Sequence, residues 1–157
     1  MLFRSRKPRV QSGAYELPAH ASPAQILGLF EEGKVILEQV TVVEGQTFDD
    51  FLDALEQHPR VAHTLRGKSA AEIMTALGHA GVSAEGEFFP DTYRFAANTS
   101  DAAILALAYD SMQRALAAAW QARTANLPLA TPYEALILAS MIEKEAEIGR
   151  ASCRERV

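Results

Sequence analysis

A chain of 157 residues, 48% of them hydrophobic, is long enough for one or two small cores, and its formal charge of −5 leaves no basic footprint for nucleic acid or anionic phosphates. The one cysteine, Cys153, supports neither a disulfide framework nor a thiolate metal site. No apolar run reaches the roughly 18 residues of a membrane span, and no signal peptide opens the chain.

Met1 to Ser5, MLFRS, has no packing pattern and reads as a translated sequencing adapter, so residues 1–9 are set apart as artefact and linker. Gly13 to Leu17 alternates weakly, as a short strand does. Ser22 then caps a helix opened by Pro23, whose apolar row Ile26, Leu27, Leu29, Phe30 stops at Gly33. Val35, Leu37 and the β-branched run from Val40 to Val43 predict a strand or a bent strand pair. Thr47 opens the next helix, with Phe48, Phe51, Leu52 and Leu55 at helical spacing, and His58-Pro59 ends it. Ser69 and Glu72 form a capping box for a helix through Ile73, Met74 and Leu77 that stops near Gly78 or Gly81. His58, His63 and His79 lack the spacing of metal ligands and are expected to be solvated.

Glu85 to Phe95, EGEFFPDTYRF, mixes aromatics and carboxylates without a helical or strand period. Two readings stay open: a sugar-binding wall, or a loop folded over the core by its phenylalanines. Asn98 to Asp101 is a cluster of capping residues, and from Ala102 an alanine- and leucine-rich helix runs to about Ala125. Leu105, Ala108, Tyr109, Met112, Leu116 and Ala119 make its apolar face, and Asp110 and Arg114 can pair on its surface.

Thr131, Pro132 and Glu134 specify the start of the last helix. Leu136 to Ile142, interrupted only by Ser140, is too apolar for a surface helix and is expected in the core. Glu145 continues the row Leu138, Met141, Ile142, while Glu143 points to nearly the opposite side. A carboxylate at the end of such a row is either a solvated helix end or an acid whose proton affinity is raised in low dielectric, as a general acid requires. Ile148 to Val157, IGRASCRERV, has no apolar period and, like the first five residues, reads as a translated adapter. Without the arginines of both ends the remaining chain is more acidic still.

Three stretches, EG…FFPDTYRF, ANTSD and LPLATPYEALILASMIEKEA, resemble in order and spacing the endolytic murein transglycosylases, the MltG or YceG-like family. The resemblance covers roughly residues 10 to 147 and implies an α+β fold, in which residues 10–44 form part of a LysM-like strand-helix-strand subdomain, or a small α/β spacer, and residues 45–147 the N-terminal, mainly helical part of a catalytic domain. It makes Glu145 the catalytic acid and base, and places Glu85, Phe89, Asp91, Tyr93 and Glu143 along the substrate cleft. Lys144 between the two glutamates is expected to be solvated. Glu87 stands where many relatives have an aromatic residue.

The implied substrate is the glycan strand of peptidoglycan, with cell-wall synthases as possible partners and no cofactor or metal. The implied location is the bacterial inner membrane, reached through an anchor ahead of residue 1, with the catalytic part facing the periplasm or cell exterior. Further cleft segments would follow the last helix, so this stretch by itself is expected to be inactive. The competing reading is a non-catalytic peptidoglycan-binding or scaffold module in which the EKE carboxylates are only a helix end.

Overall fold

The computed structural model describes residues 13–33, 35–124 and 127–154. The expected artefact at 1–9 therefore lies outside the described residues. The protein is mixed α/β: β1 (Ala14–Tyr15), α1 (Pro23–Glu32), β2 (Val35–Thr41), α2 (Phe48–Gln57), β3 (Val61–Ala62), α3 (Ala70–Ala76), β4 (Thr92–Ala96), β5 (Thr99–Ser100), α4 (Asp101–Gln121) and α5 (Pro132–Arg154). Among the described residues no helix is long and apolar enough to cross a membrane.

Local chemistry sets most helix starts. Ser22, Thr47 and Ser69 each accept from the backbone N–H three residues on, and Gln25, Asp50 and Glu72 return the bond to the cap's own N–H. Ser100 accepts from Ala103 N at the start of α4. Asp101, the first residue of that helix, is buried and accepts from Thr64 N, Leu65 N and Ala102 N at 2.8–3.0 Å and from the Thr64 hydroxyl. Burial pushes its carboxyl up, but these donors outweigh it and hold the group below the ordinary aspartate value. The bonds tie the chain after β3 to the start of α4, alongside the parallel pairing of β3 with β5.

The larger sheet has the order β1-β2-β4 and is antiparallel throughout. Val40 lies opposite Tyr93 and Glu38 opposite Phe95, so Val40, Tyr93 and Phe95 share the face that meets the core. The opposite face carries Gln39, Thr41, Thr92 and Arg94, all exposed. Its other end is lined by Tyr15, whose ring meets Phe30 of α1 edge-on at 4.8 Å. The strand thus joins residues on both sides of position 44 in one sheet, with α1 at one face and the core at the other.

That core is filled by Phe51, Leu55, Ile73, Met74 and Leu105, each at most 2% exposed. Phe88 lies against Phe48 (5.0 Å between centroids), Phe51 (6.0 Å) and Tyr109 (6.2 Å), and Phe51 also stacks on Tyr93 at 6.2 Å. Residues 92–96, read from sequence as irregular, are a strand. Tyr93 and Phe95 alternate inward with exposed Thr92 and Arg94, a period that the adjoining Phe88-Phe89-Pro90 hides.

The last helix departs from expectation. It packs against α4, as its place in the chain implies, yet Ile137, Leu138, Met141 and Ile142 are 45%, 44%, 60% and 60% exposed. A helix apolar on all sides needs neighbours on all sides, and α4 covers only one. Its backbone stays helical through Arg154, so the segment from Ile148 that showed no apolar period continues the helix. On α4 itself the expected surface pair is replaced: Arg114 donates to the Asp110 carbonyl at 3.2 Å and to the Ser111 hydroxyl at 3.1 Å.

Candidate functional site

Between β2 and α2 the chain makes a short turn, residues 43–47. Gln46 folds it by accepting from Val43 N through Oε1 at 2.8 Å and by donating its own N–H to the Val43 carbonyl at 3.3 Å. Gly45 takes φ +84°, a left-handed conformation that costs little without a Cβ. Thr47 closes the turn as the cap of α2, and Asp50 accepts both its N–H (2.9 Å) and its hydroxyl (2.6 Å). Those bonds from Thr47, with the charge of Lys144 adding to them, hold the Asp50 carboxyl below its ordinary value.

Three residues from two distant segments meet this turn or its flanks. Glu85 accepts from Phe48 N at 2.9 Å, placing a carboxylate where the N-terminal dipole of α2 favours negative charge. The carbonyl of Asp91 accepts from Val42 N at 3.0 Å. Lys144 donates from Nζ to the Gly45 carbonyl at 3.4 Å, so it binds protein where solvation alone was expected. The EKE end of α5 and the acidic, aromatic segment 85–95 are thereby brought to one place.

Within that place the residues singled out from sequence differ in kind. Glu143 and Glu145 are exposed on α5, and Asp91 is exposed at the start of β4, where its carboxylate accepts from Thr92 N at 2.7 Å. Phe89 is half-buried and donates its N–H to the Ala108 carbonyl at 3.2 Å. Tyr93 is 5% exposed, its ring on Phe51 and its hydroxyl bonded to the Phe89 carbonyl. Burial and the Asp91 charge push its phenol up to about 12. Tyr93 is therefore a core residue, and segment 85–95 covers the core with Phe88, Tyr93 and Phe95 while leaving Asp91 outside. Glu85 is likewise held by α2.

Within this segment lies a polar group whose burial sequence reasoning did not foresee. Glu87 is 5% exposed and accepts from Gln113 Nε2 at 2.8 Å. Nearby, His79 stacks on Tyr109 at 3.9 Å, and elsewhere His58 meets Phe95 edge-on at 5.2 Å, so these two half-buried imidazoles pack on rings where solvation was expected. Burial raises the Glu87 carboxyl above its ordinary value, against the opposing effects of Gln113 and His79. A carboxyl raised in the fold favours the folded state below its unfolded value, and that contribution is lost as pH rises through the folded one. Glu87→Gln keeps an acceptor for Gln113 but cannot ionise. The variant is expected to match the parent in urea unfolding at pH 4 and to exceed it at pH 7; equal stability at both would show that burial does not penalise the charge.

The resemblance alone drew notice to Glu87, by implying an aromatic residue there, and the sequence offered one signal for the turn, a glycine between a β-branched strand and a capping box. A protein-family model described as the YceG-like family matches residues 1–155 and runs across both ends set apart above. No curated protein matches the chain.

Proposed function

The chain belongs to the YceG-like family, and on that premise we propose that it carries the acid/base part of an endolytic lytic transglycosylase acting on nascent peptidoglycan from a membrane-anchored protein. The reaction breaks the glycosidic bond between N-acetylmuramic acid and N-acetylglucosamine. Glu145 gives its proton to the glycosidic oxygen, the bond from that oxygen to the anomeric carbon breaks, and N-acetylglucosamine leaves as an alcohol. The sixth-carbon hydroxyl of the muramyl residue then bonds to the anomeric carbon as its proton passes to Glu145. The product is a 1,6-anhydromuramyl end, no water is consumed, and the acid is regenerated. One residue thus does what two carboxylates do in hydrolases.

The observation that carries this reading is the family match across 1–155, which includes the EKE end of α5 and the segment 85–95 that meet at the turn 43–47. Glu145 follows an exposed apolar row, Leu138, Met141 and Ile142. Covering that row with a sugar ring would surround the acid with low dielectric during proton transfer. Asp91 and Glu143 are both exposed, and in this reading they meet hydroxyls and acetamido groups of the strand.

A second reading, a non-catalytic glycan-binding or scaffold module, is favoured by the fact that Glu85 and Tyr93 are bonded within the fold. Digestion of purified peptidoglycan with the full-length protein carrying these residues decides between them. Anhydromuramyl ends in the mass spectrum support the enzyme, whereas strands that bind and are never cut support the module.

A further inference from the structure

The acidic end of α5 stands far from the helix's own anchor. From Pro132 to Glu145 the helix rises about 20 Å, so a tilt of about 3° at its start displaces the Glu145 backbone by about 1 Å. An offset of that size can cost about 100-fold in a reaction that depends on alignment. Packing on α4 covers one side of α5 and leaves the row from Ile137 to Ile142 exposed. At the acidic end a contact of another kind appears: Lys144 crosses 99 residues of sequence to the carbonyl of Gly45. Gly45 presents that carbonyl from a left-handed turn pinned by Gln46 and Thr47, and the charge of Lys144 also reaches Asp50 on the first turn of α2.

We propose that Lys144 is a positioning residue, its ammonium holding the acidic end of α5 against the Gly45 carbonyl so that Glu145 stands at a fixed place beside the turn. The proposal rests on the reading of Glu145 as the acid. Residues either side of Lys144 lie about 100° from it around the helix, so fixing Lys144 toward the turn sends Glu143 and Glu145 to its two flanks. Together with the packing on α4, the lysine then sets the rotation of α5 at this end, and with it which carboxylate faces a strand lying along the turn.

Two substitutions test this. Lys144→Met keeps the stem and removes the charge, while Lys144→Arg keeps a donor. In the 157-residue chain the amide resonance of Gln46, which shares its peptide bond with the Gly45 carbonyl, should move in Lys144→Met and return in Lys144→Arg, with the unfolding midpoint unchanged because the site is exposed. In the full-length protein Lys144→Met should lower kcat roughly 10- to 100-fold with KM within about twofold, and Lys144→Arg should restore most of it. Parental kcat in Lys144→Met, or a Gln46 resonance indifferent to the substitution, overturns the proposal. If the parent full-length protein yields no anhydromuramyl ends, the enzymatic reading has failed and the positioning role falls with it, while the Gln46 resonance still reports whether the tether exists.

Discussion

Glu145→Gln in the full-length protein should keep the fold and lose at least 100- to 10,000-fold of the rate of anhydromuropeptide release, the range that general acid–base catalysis typically supplies. The amide is nearly isosteric with the acid but can neither give a proton to the glycosidic oxygen nor take one from the sixth-carbon hydroxyl. Because Glu145 is exposed, its replacement removes no packing, and a large loss of rate cannot be charged to unfolding. Glu143→Gln, about 200° away around the helix, should cost distinctly less. Comparison of kcat/KM for parent and both variants expresses each loss as transition-state stabilisation. Cleavage by Glu145→Gln at the parental rate would show that the acid is another residue.

Stability should respond most to the centre of the aromatic cluster. Phe51 is 2% exposed between the rings of Phe88 and Tyr93, and its truncation leaves a cavity that these rings, held by their own contacts, cannot fill. Phe51→Ala should therefore cost about 3–5 kcal/mol, a large part of the 5–15 kcal/mol that holds an ordinary domain folded. Leu138→Ala provides the contrast. Sequence alone assigns Leu138 to a core, where its truncation in the intact protein would cost about 2–5 kcal/mol. At 44% exposure in this chain the same change should stay within about 0.5 kcal/mol. Urea unfolding of the two variants measures both, and a Leu138 cost equal to that of Phe51 would mean that α5 is buried in solution.

What could be read in advance was local. Ser22, Thr47 and Ser69 mark helix starts because a cap and its partner lie three residues apart, and α1, α2 and α3 follow those marks, while α4 follows Ser100 in the capping cluster Asn98 to Asp101. β4 was missed because the Tyr93 and Phe95 alternation adjoins an unbroken aromatic run. The burial of α5 was misjudged because composition shows how much surface asks for cover, and says nothing of which neighbours supply it. The same limit hid the site: Glu85 reaches Phe48 across 37 residues and Lys144 reaches Gly45 across 99. A lysine flanked by two glutamates looks solvated until the turn that receives it is placed. His58 and His79 likewise gave no hint in the sequence of the rings they pack on.

The pairing of β2 with β4 also orders events in time. Thr41 and Thr92 face each other from 51 residues apart, and closing a flexible loop of that length costs roughly 3–4 kcal/mol before any strand contact is made. If α2 and α3 first collapse on Phe51, Ile73 and Met74, the intervening chain is shortened and β2 closes on a surface already formed. Pulse-labelled hydrogen exchange should then find the β2 amides protected no earlier than those of α2, and the reverse order would refute this sequence of events. During synthesis β2 emerges some fifty residues ahead of its partner. Until Thr92–Ala96 has cleared the ribosome, Val40 has no core to enter, and a β-branched segment waits in the nascent chain with the edge that β4 will take still unpaired.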